Sequence, residues 1–321
     1  MTLPLVSIIF LCYNQENTVA AAVRGCTSQD YAGPLEIIFS DDYSSDRTYE
    51  IVSDLVLSYA GPHTVKLFRN ERNLGIGEHY NVAISRCSGD LIVTAAGDDV
   101  SLSSRVTQLV REWLRFEKKP DLITSDLYQI NASGTRVGYI KVDDLSLWNK
   151  PEKWIAHRPF VVGAAHMFTK KLHSDFGDFI PKIVYEDQVM TFRATLGGKA
   201  IKVNEPVVEY RVGGVSQKNK PKWGEVTYLD WCRKKYHRQA AQYYQILLDA
   251  TKSAASDHLL AKIQRRLDKA LYVLLLLRDD EYKDFYSDNR KIYFDSIIFK
   301  AGKFVSIRIL QALQKFRELF Y

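Results

Sequence analysis

This sequence predicts an α/β protein: a doubly wound, mainly parallel but mixed sheet flanked by helices, followed by a C-terminal helical region. Three observations carry that expectation. From Val6 to Tyr128, apolar β-branched runs alternate with amphipathic stretches across short connections, the pattern of right-handed crossovers in a parallel sheet. Leu91 to Ala96 has the length and composition of a strand buried on both faces. From about Glu225 onward glycine nearly vanishes, and charged residues interleave with Leu, Tyr and Ile at helical spacing.

Taken in order, Val6 to Leu11 reads as strand, Glu16 to Cys26 as helix, Leu35 to Ser40 as strand and Ser45 to Tyr59 as helix. Val65 to Arg69 is a short strand and Gly77 to Cys87 a helix, before the strand that ends at Gly97. Arg105 to Glu117 continues as an amphipathic helix and Asp121 to Tyr128 as one strand. From Asn131 to Lys220 the pattern loosens into Gly-, Asp- and Trp-containing segments, which suits a substrate-facing insert or a mixed sheet edge. Leu259, Ile263, Leu267, Ala270, Leu271 and Leu274 then mark one face of a helix. There is no internal repeat, so no solenoid is expected.

The 321 residues, 46% hydrophobic and 26% charged, are enough for one large domain with an appendage. The net charge of +6 is unevenly placed: from Pro221 on, 19 Lys and Arg face 12 Asp and Glu, while the first 220 residues carry −1. Those basic residues are interleaved with acids and belong to no nucleic-acid module, so a nucleic-acid partner is not expected. Cys12, Cys26, Cys87 and Cys232 have no metal-type spacing and are too few to staple the chain. With no secretory pattern at Met1-Thr2-Leu3-Pro4, a reducing, cytoplasmic setting is expected. The longest apolar block, Leu271 to Leu277, falls short of the roughly 20 residues a membrane span needs.

The chemistry gathers at strand ends. Asp98 and Asp99 close the fourth strand where open α/β sheets bind ligands, and paired acids there can hold a hard divalent cation against a phosphate. They can equally cap the helix that begins near Ser101. The first strand ends in Cys12-Tyr13-Asn14 and the second in Asp41-Asp42. A ring at Tyr13 can stack on a nucleobase, and Asp41 or Asp42 can accept the imide proton of uracil, while Ser45 or Asp46 caps the next helix. Asn70 to Gly77 carries glycines that permit close backbone approach, without the spacing of a P-loop. Asn81, one turn into the third helix, can reach the crevice or face solvent. A receiver domain starting near residue 35 and a sugar nucleotidyltransferase are poorer fits: the first would exclude the preceding βα unit, and the second needs a basic, glycine-rich loop where Cys12-Tyr13-Asn14-Gln15-Glu16 stands.

Together these segments resemble family 2 glycosyltransferases of the GT-A fold, of the bacterial polysaccharide-biosynthesis type (O-antigen or capsule). The resemblance rests on Pro4-Leu5-Val6-Ser7-Ile8-Ile9 with Tyr13-Asn14, Asp41-Asp42-x-Ser44-x-Asp46-x-Thr48, Asn73-x-Gly75, and Gly89-Asp90 leading to Gly97-Asp98-Asp99. It covers about residues 3 to 217. It implies a catalytic domain over 1–222, with a nucleotide-sugar half to about residue 100 and an acceptor half after it, and a helical region over 223–321. It also implies a nucleotide-sugar site of Tyr13, Asn14, Asp41, Asp42, Arg72, Asn73, Asn81 and Asp98, with Asp98 and Asp99 on Mn²⁺ or Mg²⁺. Uridine diphosphate is the expected carrier, although thymidine satisfies the same contacts. Two positions depart from the family pattern: Ala96 replaces the first acid of the metal run, and His79-Tyr80-Asn81 replaces Ala-Arg-Asn.

The resemblance further implies an inverting transfer to a glycan or lipid-linked glycan hydroxyl, with Asp187 as base and Glu186 orienting the acceptor or the helix end. Both acids also suit a helix N-terminus. Val161 to His166 looks like the family's acceptor floor, where Gly163 admits a sugar and His166 is either acceptor contact or structural. Arg211, before the Gly213-Gly214 hinge, is placed to reach the pyrophosphate. Over 297–320 an apolar stripe is flanked by Lys300, Lys303, Arg308, Lys315 and Arg317. Such a helix lies on an anionic inner membrane face, docks on the catalytic domain, or joins copies into a homo-oligomer. A binding-only relative is the remaining alternative.

Overall fold

Seven consecutive residues with no exposed side chain, Val6–Cys12, form β1, and the equally buried Leu35–Asp41 form β2 beside it in parallel. The structure is a computed structural model and describes residues 2–197, 199–212 and 227–277. These fall into two compact units: a sheet-built one that carries everything before residue 219 and takes in Lys252–Ala255, and a helical one that carries the rest.

In the first unit, α1 (Val19–Thr27) buries Val19, Ala22, Val23 and Cys26, the stripe that helical spacing puts on one face. After β2 come α2 (Thr48–Leu57), β3 (Thr64–Arg69), α3 (Ile76–Ser85) and β4 (Leu91–Ala96). Strand order β4-β1-β2-β3 is parallel throughout. The register sets Cys12 opposite Asp41 and Leu11 opposite Ala96, so three carboxyl ends finish level. Beyond the two-residue β5 (Val100–Ser101), α4 (Arg105–Arg115) buries Val106, Leu109, Val110 and Trp113.

The single strand expected over Asp121 to Tyr128 is two strands, β6 (Leu122–Ser125) and β7 (Leu127–Ile130), in different sheets. The break is Asp126, whose buried carboxylate accepts from Val142 N at 2.9 Å, Tyr139 Oη at 2.6 Å and Lys202 Nζ at 3.0 Å. A buried acid with that many donors converging on it pins the chain where it changes sheets. β8 (Arg136–Ile140), α5 (Pro151–Ala156), β9 (Met167–Thr169), α6 (Lys170–Phe176), α7 (Glu186–Gly197), β10 (Ala200–Val203) and β11 (Val208–Arg211) follow. The larger sheet runs β10-β6-β9-β4-β1-β2-β3, with β9 antiparallel to both neighbours, so the sheet is mixed as expected. The smaller one runs β5-β11-β7-β8.

The first two helices start later than their sequence pattern suggests, at Val19 and Thr48, because residues 13–18 and 43–47 fold as loops across the strand ends. The N-cap is Arg47, without a side-chain cap bond; Asp46, one residue earlier, accepts from the first helical amide, Thr48 N, at 3.0 Å. In the second unit, α8 (Thr227–Lys252) buries Ala240, Ala241, Ile246 and Ala250, and α9 (Asp257–Leu276) buries Leu259, Ile263, Leu267, Ala270 and Leu274. The four cysteines are free thiols. Among the described residues no helix is long and apolar enough to cross a membrane. The basic stripe over 297–320 and the Gly213-Gly214 hinge lie outside the described residues.

Asp126→Ala strands Lys202, itself only 5% exposed, without its counter-charge. Removing one partner of a buried ion pair costs about 3–5 kcal/mol, and a fall of that size in unfolding free energy is expected from urea titration followed by circular dichroism.

Candidate active site

The loops after β1 and β2 are stitched together before any ligand arrives. Asn14, in the left-handed region at φ 51°, accepts from Ser45 N through Oδ1 at 2.8 Å and donates its own N–H to Ser44 Oγ at 3.0 Å. Gln15 N donates to Thr48 Oγ1 at 2.6 Å and Glu16 N to Asp46 Oδ2 at 3.1 Å. Above this seam the rings of Tyr13 and Tyr43 stand 44% and 51% exposed, so Tyr13 keeps the open face expected of a stacking residue. Asn14 is exposed as well, and its amide oxygen ties one loop to the other.

Asp41 and Asp42 also differ from expectation. Both are buried, and all their carboxylate oxygens are engaged. Asp41 accepts from Ser44 N at 2.9 Å, from Ser44 Oγ, and pairs with Arg69 Nε at 3.4 Å. Asp42 accepts from Asn70 Nδ2 at 2.8 Å and from Leu74 N and Gly75 N at 2.9 Å each, which shapes the 70–75 loop. Carboxylates at buried strand ends collect the donors around them because an unsatisfied one is costly. That loop leaves Arg72 and Asn73 exposed, with Asn73 Nδ2 donating to Asp42 O at 3.3 Å. Arg69, which sequence reasoning passed over, lies over the rings of Tyr49 at 4.7 Å and Tyr43 at 5.3 Å. Asn81 is not in the crevice: it donates to Phe179 O at 2.8 Å and accepts from Phe179 N at 2.9 Å, a clamp that uses both ends of its amide. His79 is buried against Ser40 Oγ at 2.9 Å, and burial lowers its basicity.

Asp98 and Asp99 occupy the turn after β4, where Gly97 N closes on Leu11 O at 3.0 Å. Asp98 is partly buried and hydrogen-bonded to Gln15, and burial raises its pKa. Asp99 is pushed up to about 8, first by burial and then by the charge of Asp98. The pair resists carrying two negative charges, and a divalent cation would lift that resistance. Arg211 N donates to Asp99 Oδ1 at 2.8 Å. The Arg211 guanidinium, expected on a pyrophosphate, instead donates to the carbonyls of Asp98 (3.0 Å), Asn131 (2.7 Å) and Ala132 (2.8 Å). It fastens the acid turn to the β7–β8 turn. Among the described residues no group of three His, Cys, Asp or Glu is spaced to hold a metal. Asp98 and Asp99 offer the hard oxygens that suit Mn²⁺ or Mg²⁺, but as two side chains they would fill only part of its shell.

Glu186 and Asp187 begin α7, and the backbone of Gly163 lies against them: a methyl group there would sit 3.1 Å from both Asp187 Cβ and Glu186 Oε1. Gly163 O in turn accepts from Thr94 Oγ1 on β4, so the pair adjoins the strand that carries Asp98 and Asp99. Gly77 N, past the 70–75 loop, donates to Ile183 O at 3.2 Å and closes the third side. Burial and then the charge of Asp187 push Glu186 up to about 8; burial pushes Asp187 up to about 6. His166 is not an acceptor contact. Its ring is 1% exposed, and burial followed by the charge of Arg105 lowers its pKa to about 3, so it is neutral.

The family model for glycosyl transferase family 2 matches residues 7–170, half of the chain. The chain belongs to glycosyl transferase family 2. Over 111 residues it is 32% identical to an N-acetylglucosaminyltransferase of Bradyrhizobium elkanii, a match spanning 34% of this chain and 60% of that one. Over 107 residues it is 34% identical to EpsE of Bacillus subtilis, spanning 33% and 37%. The match thus spans about a third to three fifths of these relatives' length. The structure of S. aureus TarS 1–349 in complex with UDP aligns with a TM-score of 0.56 at 17% identity, covering 91% of this chain and 76% of that one. At that identity the likeness shows the fold alone, which is GT-A, as a family 2 chain requires.

The raised pKa values have a stability consequence. The folded protein holds protons on Glu186 and Asp187 that the unfolded chain, with Glu near 4.5, releases, so stability falls as pH rises from about 4.5 toward 8. Glu186→Gln removes most of that loss. Its melting temperature, scanned from pH 5 to pH 8.5, is expected to stay flatter than that of the wild type and to exceed it by a few degrees at the alkaline end; parallel curves would show that the pair is not the source.

Proposed function

We propose that this chain transfers a sugar from a nucleoside diphosphate donor, UDP-linked for preference, to a hydroxyl of a glycan or lipid-linked glycan acceptor, with inversion at the anomeric carbon. One observation carries the reading: two carboxylate pairs, Asp98–Asp99 and Glu186–Asp187, flank the end of β4 and are joined through Thr94 and Gly163. The comparisons support the donor class. TarS has been solved in complex with UDP and with UDP-GlcNAc, and a mannosyltransferase from Pyrobaculum calidifontis, TM-score 0.53 at 16% identity over 84% of this chain and 75% of that one, with GDP-Man and Mn²⁺.

In this reading the nucleobase stacks on Tyr13, with Arg72 at the same open edge, and the diphosphate lies toward Asp98. Asp98, with the second oxygen of Asp99, would hold Mn²⁺ or Mg²⁺, which supplies charge neutralisation for the departing diphosphate. The chain's own work is done by the other pair. An acceptor hydroxyl must lose its proton as it attacks, and a carboxylate raised to about 6 is both ionised at neutral pH and basic enough to take it. Asp187 is that base. Glu186, held protonated, keeps the pair at a single negative charge and can donate a hydrogen bond to the acceptor. Gly163, without a side chain, leaves the acceptor room beside the base. Direct displacement by that hydroxyl inverts the anomeric centre. The basic, apolar stripe over 297–320 favours a lipid-linked acceptor at the cytoplasmic membrane face.

Calorimetric titration with UDP, dTDP and GDP, each with and without Mn²⁺, tests the donor half. UDP binding tightened by Mn²⁺ and weakened roughly tenfold or more in Asp98→Asn is expected; no nucleotide bound by the wild type would refute the reading. For the acceptor half, Asp187→Asn is expected to keep UDP affinity while UDP release from UDP-GlcNAc falls about 10²- to 10⁴-fold.

A further inference from the structure

Arg105 is the first residue of α4, only 1% exposed, and its guanidinium makes no ion pair among the described residues. Nη1 donates to Ser101 Oγ at 2.9 Å. Nη2 donates to Thr94 O and Ala164 O at 2.6 Å each and to His166 O at 3.4 Å. Burying a cation whose hydrogen bonds all go to neutral oxygens is expensive, even with the field of Asp99 to favour its charge. Here one planar fork reaches β4 and the 163–166 segment at once, and a point-charge ammonium on a lysine stem cannot span the same acceptors.

That segment leads into β9, whose Met167 is paired with both β4 and β6. The segment itself is a single 3-10 turn, Gly163–Ala165, whose other polar ties to the sheet are the Thr94 hydroxyl on the carbonyls of Gly163 and His166 and Thr94 N on His166 O at 3.1 Å. Gly163, at its start, is the residue packed against Asp187 and Glu186. The chain of contacts therefore runs from the strand bearing Asp98 and Asp99, through Arg105, to the floor under Glu186 and Asp187.

We propose that Arg105 is a positioning residue that locks the acceptor floor to the donor strand and so sets where Asp187 stands relative to the sugar, an inference that rests on the reading above. It acts through backbone carbonyls and touches no substrate. None of its hydrogen bonds goes to a donor-site side chain, although its charge favours the ionised form of Asp99; without it the base is not held to its place, and misplacing a base by about 1 Å can cost about a hundredfold in rate.

The test uses the full chain in wild-type, Arg105→Lys and Arg105→Met forms. Hydrogen exchange of the unliganded protein is read first. Amides of Thr94, Ala165 and His166, and those of Gln188 and Val189 at the start of α7, are expected to exchange roughly tenfold faster in both variants, with β1 and β2 amides unchanged. Kinetics follow, with UDP as binding probe and UDP release from UDP-GlcNAc as turnover. In Arg105→Lys, which keeps the charge near Asp99, UDP affinity is expected to stay within about twofold while turnover falls about 10- to 100-fold. Unchanged exchange at the floor, wild-type turnover in Arg105→Lys, or exchange accelerated evenly across the sheet would overturn the proposal. The last of these would leave Arg105 a stability residue alone. A wild type that binds no UDP sinks the donor reading instead, and the exchange pattern then judges the linkage by itself.

Discussion

Carboxylates brought to the ends of fully buried strands must each find hydrogen-bond donors or hold a proton, and the site is organised by which of these two outcomes each acid meets. Asp41 and Asp42 find donors. Ser44, Arg69, Asn70 and the Leu74 and Gly75 amides close around them, and in doing so fold the loops that frame the edge at Tyr13. Asp99, Glu186 and Asp187 find fewer, and their pKa values rise: burial weighs against the charge at all three, and a neighbouring acid adds to it at Asp99 and Glu186. The first group builds structure. The second retains chemical capacity, since a group kept near its titration point can exchange a proton or welcome a cation.

Two arginines divide the task of keeping these acids in register. Arg211 spends its donors on the carbonyls of Asp98, Asn131 and Ala132, which joins the acid turn to the smaller sheet. Arg105 joins the same strand to the floor under Glu186 and Asp187. Neither works through a salt bridge of the ordinary surface kind, whose contribution is small and screened. Both work by offering several fixed donors to backbone oxygens on separate segments, which ties those segments together.

The sheet was largely readable from the chain because strands buried on both faces leave continuous β-branched runs, and because the helices between them carry a regular apolar stripe. Asp126 shows the limit. The run Asp121 to Tyr128 looks like one strand, and the lone acid within it was the signal that it is two, since a carboxylate can sit in such a run only where donors from elsewhere meet it. Asn14, Asp42 and Asn81 show a related ambiguity: an amide or carboxylate fit to hold a ligand is equally fit to hold a backbone. Only the positions of Ser45, Leu74 and Phe179 decide between the two. Arg105 left no trace at all, because a basic residue opening an amphipathic helix looks like part of its solvated face.

The seam between the loops after β1 and β2 has an entropic meaning. Its ties, from Asn14 to Ser45, Gln15 to Thr48 and Glu16 to Asp46, are complete with nothing bound. A ligand arriving at the exposed ring of Tyr13 therefore meets an edge already frozen into shape, and the loss of backbone freedom that often erodes affinity was met during folding rather than at encounter. Selectivity at this edge then rests on shape that is present beforehand, and a ligand that does not match it gains nothing from loop rearrangement.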